Sequence, residues 1–487
     1  MGFIDKIVAA VSPKAAYDRE KYKIAAEGLR SSDSYDAGSY ERNNRNWHAV
    51  NESAEITDRY NRDTIRARAR DLERNSDIMN SLTSAWKRNI IGSGFILQAK
   101  TPDTELNKQI EKAWKKWCKK QNCDVTQTQS LNQMLRMTVN RKKIDGGILF
   151  IKCYTRGGML PFKLQAIEVD ELDVTQTVPK HKGDKVVGGI EYNTYNAPVG
   201  YFIKQYDING YNISNPVYVQ AKNVIFYFTK KRPSQVREIS DMAPTIPRIR
   251  DVNEFITAVS VKERILACLA VFIKRLLPTQ GLGREAGTTG KRMSYEGKTI
   301  APGMIKELNA GDEIQVVSPA GQSADATSYT KLEQRMISAS QGLSYEATSR
   351  DMAESTYSSA RQNIIEDDLT YQEDIELIQE IIDEIYETFV ISLILSGYIN
   401  IPGFWEHKDE YFEHEWIKEP KPWIDPAKES SANKIALMTG QKTFKQIAAE
   451  NGRDWKDQID DMAEVINYGK EKGIDMGGVV FGIQKKE

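Results

Sequence analysis

The sequence predicts an α+β fold that is mainly helical. Apolar residues recur at spacings of three and four over several long segments, which is typical of amphipathic helices. Segments rich in β-branched and aromatic residues are short, and most of them lie between residues 160 and 230. The chain has 487 residues, of which 40% are hydrophobic and 28% charged, so it can bury a core in more than one domain.

The helical pattern covers most of the chain. Residues 1–60 are polar and predict a weakly structured arm with a short helix near its start. The other predicted helices are 57–91 with a break near Asn75, 103–120, 131–144, 248–277 between two prolines, 331–341, 360–396, one that starts near Pro426, and 454–473. Trp114 and Trp117 lie three apart on one helical face, which favours a core position over a base-stacking platform.

The predicted strands are separated by Gly, Asn, Asp and Pro turns. They comprise residues 148–154, 162–169, 187–195, 199–206, 217–220, 223–228, 294–308 and 312–319. The segment 279–299 predicts an exposed loop. We therefore expect a β-rich region between long helices.

Composition excludes several classes of protein. The longest apolar run, Ile265–Ile273, is about half of the roughly 20 residues that cross a bilayer, so no membrane partner is expected. The four cysteines have no disulfide-framework spacing, which favours a reducing compartment. Cys118 and Cys123 could share a metal in principle, but no histidine has zinc-finger spacing, so neither a metal nor another cofactor is predicted.

The net charge of −1 hides a strong asymmetry. Residues 1–300 carry 49 Lys and Arg against 33 Asp and Glu, whereas residues 301–487 carry 18 against 35. The first part could approach nucleic acid and the second would repel it, although charge runs are more often solvated faces.

No motif predicts an enzyme. A G-x-S-x-G nucleophile elbow does not occur, and Gly290-Lys291 is followed by Arg292 where a phosphate-binding loop needs Ser or Thr. One alternative stays open: strand-end acids could bind the metal of a nucleic-acid-processing enzyme, the candidates being Glu168, Asp170, Glu171 and Asp173. The same residues also suit an exposed turn.

A basic strip, IRARARDLERN, places Arg66, Arg70 and Arg74 at helical spacing. Phosphate contact and ion pairing between subunits are both compatible with it. The acids Asp63, Asp71 and Glu73 favour ion pairing, so the three arginines are candidates for a subunit interface.

The hydroxyl-rich stretch ESTYSSARQN, residues 354–363, precedes the last long helix. Ser359 and Gln362 have the spacing of a capping box, in which the hydroxyl accepts from the third helical amide and the glutamine reaches back. A helix start capped by Ser359 is therefore predicted, rather than a catalytic serine.

Several segments, in order along the chain, resemble the lambda-type portal proteins, which are the head–tail connectors of tailed phages. They are RARARDLERNSDIMNSLTSAWKRNIIGSGF, AWKKWCKKQNCD, IDGGILF, AIEVDELD, KKRPSQVREIS, IAPGMIKELNAGDEIQVVSP, STYSSARQ and the terminal WIDPAKESSANKIALMTGQKTFKQIAAENGRDWKD. The resemblance runs from about residue 35 to 470. It departs from the family pattern after Gln235, where Val236-Arg237-Glu238 stands instead of Arg-Gly.

The resemblance implies a dodecameric ring at one capsid vertex of the virion, assembled in the host cytoplasm, through which double-stranded DNA passes without sequence preference. It implies as partners the terminase large subunit, the capsid protein and a head-completion or tail adaptor protein. The implied regions are an arm (1–60), a wing (61–127), a stem helix and strand (128–159), a β-rich clip (160–232), a second stem helix (233–278), wing strands and loop (279–327), a tunnel helix or loop (328–360), a long acidic helix of wing or crown (361–400) and a helical crown (401–487).

A channel through which DNA slides should not grip phosphates, so an acidic lumen with few bases suits it. The Lys and Arg residues between 310 and 400 are the candidates for weak DNA contact: Lys331, Arg335, Arg350 and Arg361. Ion pairing between subunits is the equally weighted alternative for each. Another structural component of the phage, a minor head or collar protein, also stays open.

Overall fold

The computed structural model describes residues 12–31, 46, 48–210, 215–267, 271–275, 312–316, 323–418 and 425–474. The chain divides into two compact units, residues 1–57 and 58–487. In the first unit, helix α1 (Pro13–Ser31) begins at a proline and follows Ser12, whose hydroxyl accepts from the Ala15 amide at 3.4 Å. The short helix predicted near the start of the arm is confirmed, and it is 19 residues long.

Helices dominate the described chain, which confirms the predicted mainly helical α+β class. After α2 (Ala54–Asp58) they are α3 (Arg62–Asn75), α4 (Asp77–Trp86), α5 (Thr104–Trp117), α6 (Lys120–Cys123), α7 (Leu131–Asp145), α8 (Ile246–Ala267), α9 (Ser323–Ser340), α10 (Tyr345–Ser349), α11 (Tyr357–Leu395), α12 (Lys408–Phe412), α13 (Pro426–Met438), α14 (Phe444–Glu450) and α15 (Trp455–Glu471). A π-helical turn, Lys87–Ile91, continues α4.

The strands pair antiparallel throughout. They are β1 (Phe95–Ala99), β2 (Gly147–Tyr154), β3 (Phe162–Ile167), β4 (Lys185–Val187), β5 (Ile190–Tyr192), β6 (Pro198–Ile203), β7 (Val217–Gln220), β8 (Val224–Phe228), β9 (Val271–Arg275), β10 (Asp312–Val316) and β11 (His414–Lys418). The sheets have the orders β3-β2-β8 and β4-β5-β6-β7, and two further pairs join β1 with β11 and β9 with β10.

Local signals explain where the early helices begin and end. The break predicted near Asn75 falls at Ser76, which ends α3 and caps α4 by accepting from the Met79 amide. Ser130 and Gln133 form a full capping box at the start of α7.

Gly146 ends α7 in the left-handed conformation, with φ 92°. A Cβ there would lie 2.5 Å from the carbonyl carbon of Ile239, so only glycine lets the two backbones approach this closely. This contact fixes the chain before α8 against the start of β2.

Strand β2 separates two hydrophobic cores. Ile148 and Phe150 face the larger core, which the helices build, whereas Leu149 and Ile151 face a smaller one shared with the β4–β7 sheet. Burial on both faces explains why the strand reads as a continuous apolar run.

The tryptophans predicted to face the core do so. Trp114 is 5% exposed and Trp117 is fully buried. Their rings lie 5.3 Å apart, and Phe162 stacks on Trp117 at 5.2 Å between centroids. They join α5 to the sheet and to α11, where Phe389 contacts both rings.

The predicted helix 248–277 is wrong in its last part. Helix α8 is described only to Ala267, and Val271–Arg275 is a strand paired with Asp312–Val316. A short apolar run does not distinguish a buried helix from a strand by periodicity, and Val271, Phe272 and Ile273 have β-forming side chains. The predicted stem region 233–278 therefore contains a strand, while the predicted strand at 312–319 is confirmed over Asp312–Val316.

Other strand predictions need smaller corrections. The segment 187–195 contains a turn at Gly188–Gly189 between β4 and β5, rather than one strand. The β1–β11 pair was not predicted. The predicted loop 279–299 and strand 294–308 lie outside the described residues.

Among the described residues, no helix combines the length and the apolar character that crossing a bilayer requires.

Candidate functional site

A buried ionic cluster lies where α3, the end of β3 and the chain before α8 meet. We call it the junction cluster; its members are Arg66, Arg70, Asp145, Asp170, Arg237 and Glu238. Arg237 is 1% exposed and Glu238 is fully buried. The Arg237 guanidinium donates to both carboxylate oxygens of Glu238, at 2.7 and 2.9 Å, and to the carbonyls of Val169 and Gly188.

The turn that carries Arg237 is closed by Gln235. The Gln235 side chain accepts from the Lys231 amide at 2.8 Å and donates to the Arg237 carbonyl at 2.9 Å. The residues at which the sequence departs from the family pattern, Arg237 and Glu238, are thus among the most buried charges of the chain. Nothing in the spacing of the sequence signals this burial.

Two of the three arginines expected at a subunit interface belong to the junction cluster. Arg66 is buried and bonds Glu238 at 3.0 Å and Asp170 at 2.9 Å. Arg70 bonds Asp145 at 2.7 Å and Asp170 at 2.6 Å. Arg66 also bonds the neighbouring Asp63, but the other acidic partners of the two arginines come from distant positions of the chain.

The Arg66 side chain is 5% exposed and that of Arg70 is 23% exposed, so little of either is left for a second subunit, and their interface role stays a prediction. Arg74 differs from them, because its side chain is 67% exposed and lies 3.9 Å from Asp71. It stays a candidate for an intersubunit contact.

The strand-end acids Asp170 and Asp173 are engaged in ion pairs and hydrogen bonds. Asp170 is paired with the two arginines, and Asp173 Oδ1 accepts from Thr175 and from Lys204 Nζ at 2.7 Å. Burial, with Glu168 and Asp170 nearby, raises the pKa of Glu171 to about 7 although the Glu168 amide donates to it. Within the described ranges, no group of potential metal ligands includes any of these acids. The described geometry therefore gives no support at these acids to the metal-dependent enzyme.

A second buried ionic group was missed by sequence reasoning. We call it the lysine cluster; it joins Lys142 and Lys143 of α7 to Asp241 and Asp374. Lys142 Nζ lies 2.8 Å from Asp374 and 3.1 Å from Asp241, and Lys143 Nζ lies 2.7 Å from Asp374. One feature of the sequence could have indicated this cluster. Asp374 is a charged residue on the apolar stripe of α11, between Tyr371 and Ile378, where a buried acid needs a partner.

Several acids of α11 are engaged in contacts within the chain rather than left in solvent. Asp367 accepts from the amide and hydroxyl of Ser344, both at 2.6 Å. Glu384 lies 2.6 Å from Lys152, and Asp374 belongs to the lysine cluster. The acidic helix is therefore held to the rest of the chain partly by its own carboxylates.

Helix α11 begins earlier than predicted. Thr356, not Ser359, is its N-cap, and Ser359 is the third residue of the box, with its hydroxyl accepting from the Thr356 amide at 2.9 Å. Gln362 lies inside the helix and donates to Glu366 at 2.8 Å. Two overlapping pairs in this stretch have the spacing of a capping box, Thr356 with Ser359 and Ser359 with Gln362. The first pair forms the box.

We expect Thr356→Ala to reduce the free energy of unfolding by about 1 kcal/mol, because the first turn of α11 loses its cap. Thermal unfolding and hydrogen exchange of the first turn would measure it. Ser358→Ala is the matched control, since that exposed hydroxyl lies outside the box. Equal stability of the two variants would contradict the assignment of the cap.

The four cations expected to contact DNA fall into two kinds. Lys331 and Arg335, on one face of α9, both bond Glu354, at 2.9 and 3.1 Å. Arg350 is exposed and ends α10 with φ 59°, and Arg361 is exposed in the first turns of α11. The structure brings Lys331 and Arg335 together, and for Arg350 and Arg361 it records no ion pair within the described chain.

The elements that carry these cations also carry exposed apolar side chains. On α9 they include Leu332, which is 54% exposed, and on α11 they include Ile365 and Leu369, at 47% and 63%. Met352 lies between them in sequence and is 54% exposed. These exposed apolar residues are compatible with a contact surface on α9 and α11.

One pH-sensitive contact holds β11 to α11. His414 Nε2 lies 2.9 Å from Asp383 Oδ1, to which Trp416 also donates at 2.6 Å. Burial lowers the pKa of His414, but the bonds with Asp383 and the Phe412 carbonyl outweigh it and raise the pKa above its usual value.

A raised pKa means that protonated His414 stabilises the fold below about pH 6.5 and that this contribution is lost as the pH rises through the folded-state value. We therefore expect Asp383→Asn to destabilise the protein by about 1 kcal/mol near pH 5.5, and by less near pH 9. Unfolding midpoints at the two pH values would test it, with Glu376→Gln, at an exposed position of the same helix, as the control. A penalty that does not depend on pH would contradict the ion pair.

The sequence is similar to those of known portal proteins. The family described as phage portal protein, lambda family, matches residues 40–374. A probable portal protein of Halomonas phage phiHAP-1 is 25% identical over 427 residues, covering 85% of this chain and 82% of the relative. Portal protein B of Escherichia phage lambda is 21% identical over 458 residues, covering 85% of each chain.

Solved structures of particle necks are also similar. One is a chain from the neck of an empty gene transfer agent (GTA) particle, computed with C6 symmetry. It superposes on this chain with a TM-score of 0.44 at 12% identity, covering 79% of this chain and 93% of that chain. A chain from the neck of the native GTA particle, computed with C12 symmetry, gives 0.42 at 12% identity, covering 79% and 93%.

Proposed function

The chain belongs to the lambda family of phage portal proteins, and we propose that it forms a dodecameric ring at one vertex of the capsid, through which double-stranded DNA is packaged and ejected. The match of the family over residues 40–374, more than half of the chain, carries this proposal. The protein acts as a conduit and a docking platform without a catalytic centre of its own, so a separate ATPase drives packaging.

The exposed apolar face supports the ring. In a ring each subunit contacts its neighbours through two different surfaces, so each chain must present complementary patches. The exposed parts of α9 and α11, with Leu332, Met352 and Leu369, offer apolar area that a second copy of the chain would cover. Arg74 offers one exposed charge for the same purpose.

The distribution of charge supports passage of DNA without tight binding. Residues 301–487 carry an excess of acids, and Lys331 and Arg335 already share Glu354. A cation that is partly neutralised by a neighbouring carboxylate binds phosphate weakly. Arg350 and Arg361 would make the stronger contacts of the four.

The β-rich region 160–232 is the proposed clip, which meets the terminase large subunit and later a head-completion or tail adaptor protein. The proposed wing comprises residues 61–127 with 279–327, and the proposed tunnel element lies within 328–360. The C-terminal part, 401–487, is the proposed crown beside the capsid protein.

Imaging tests the ring. Averaged axial views of the purified full-length protein, alone and with capsid protein, should show closed rings with twelve-fold symmetry. Monomers and dimers under all conditions would contradict the proposal. A closed assembly away from the capsid vertex would instead favour a minor head or collar protein.

Charge reversal tests the DNA contacts. We expect Arg350→Glu with Arg361→Glu to leave rings intact and to reduce the fraction of DNA-filled heads severalfold, because repulsion replaces weak attraction. Lys434→Glu, at an exposed position of α13, is the matched control. Loss of the ring would assign the two arginines to subunit contacts, and normal filling would remove them from the channel.

A further inference from the structure

Three potential metal ligands converge at the start of the β4–β5 hairpin. They are His181, Asp184 and Glu191, and one ligand atom from each lies within 4.8 Å of the other two. Two of them come from the turn before β4 and the third from β5. Their sequence spacing gives no metal motif, since the hairpin brings them together.

Glu191 is the unusual member of this group. It is fully buried, and its Oε1 accepts from the His181 amide at 2.7 Å and lies 3.3 Å from His181 Nδ1. Its Oε2 is buried and makes no hydrogen bond of normal distance and angle with the described residues. The Tyr218 hydroxyl lies close to the same carboxylate and interacts with it. A buried carboxylate oxygen without a well-formed hydrogen bond is costly unless a cation compensates it.

The surroundings hold the three side chains in place. The Tyr218 ring packs on Gly200, where a Cβ would lie 2.2 Å from the ring, so only glycine fits. The Tyr218 hydroxyl lies 3.5 Å from His181 Nδ1. The Lys180 ammonium lies 4.4 Å from the Tyr218 ring centroid and makes a cation–π contact with that ring.

We infer that His181, Asp184 and Glu191 bind a divalent transition-metal ion, with Zn²⁺ the best fit. One imidazole nitrogen and two carboxylate oxygens are ligands that zinc accepts, whereas magnesium prefers oxygen alone. Three protein ligands leave a coordination position for water. The ion satisfies Glu191 Oε2 and ties the turn at residues 181–184 to β5.

The inference needs neither the ring nor DNA. The full-length protein is stripped with EDTA, dialysed, and titrated with Zn²⁺ by calorimetry, and bound metal is then measured by elemental analysis. We expect one site per chain that is absent, or weakened roughly tenfold or more, in His181→Ala and in Asp184→Asn. Both residues lie at least partly on the surface, so these changes leave the fold intact.

His407→Ala is the matched control, because His407 is an exposed histidine that belongs to no converging group of potential metal ligands among the described residues. It should bind zinc like the unchanged protein. Zinc should also protect the peptide spanning residues 181–191 from hydrogen exchange, and only in proteins that retain the three ligands. Absence of a stoichiometric site in the unchanged protein, or equal zinc affinity in His181→Ala and Asp184→Asn, would overturn the inference and assign any bound zinc elsewhere, for example to the thiols.

Discussion

Glu238→Ala should lower the free energy of unfolding by about 3–5 kcal/mol. Glu238 is fully buried and its carboxylate neutralises both Arg66 and Arg237, which are themselves buried. Removing it leaves two guanidinium groups away from water with less compensating charge, a cost well above that of a lost surface pair.

Urea unfolding followed by tryptophan fluorescence would measure this effect. Glu254→Ala is the matched control, because Glu254 is an exposed acid paired with Arg250 at 2.7 Å on α8, and it should change stability by less than about 0.5 kcal/mol. Similar losses in the two variants would show that the junction cluster does not stabilise the fold.

Asp374→Ala should cost about 3 kcal/mol or more, for a related reason. Asp374 lies between Lys142 and Lys143, and without it Asp241 is the remaining acid close to both ammonium groups. Because this contact joins α7 to α11, its loss should loosen two long helices together.

A double-mutant cycle separates charge from packing. If unpaired charge causes the loss, Asp374→Leu combined with Lys142→Met should be less destabilised than the sum of the two single changes. Glu373→Ala, at the neighbouring exposed position, provides the baseline. Strict additivity of the two changes would contradict the role of the buried ion pair.

The sequence predicted the helices well because their signals are local. Ser76 and Gly146 end helices by the chemistry of their own side chains and backbone, and the stripe of α11 repeats over 39 residues. The strand at Val271–Arg275 was mispredicted because its partner, Asp312–Val316, lies far along the chain. Pairing at that distance leaves no mark on a short apolar run.

The burial of individual charged side chains was the feature that the sequence predicted least well. Arg66 and Arg74 are two turns apart on one helix, and the sequence treats them alike, yet one is buried and the other is 67% exposed. What separates them is the position of Asp170 and Glu238, which only the tertiary fold brings to α3. The resemblance to a family located the function, but not these contacts.

The burial of the junction cluster also decides how the molecule responds to its ionic surroundings. Mobile counter-ions screen charges in water over about 8 Å at physiological ionic strength, but they do not enter a dry interior. The bonds of Arg237 and Glu238 should therefore keep their strength in concentrated salt, while the exposed bonds of Arg335 with Glu354 weaken. The strength of the ion pairs in the junction cluster should thus be independent of salt concentration, whereas the strength of the exposed pairs should fall as salt is added.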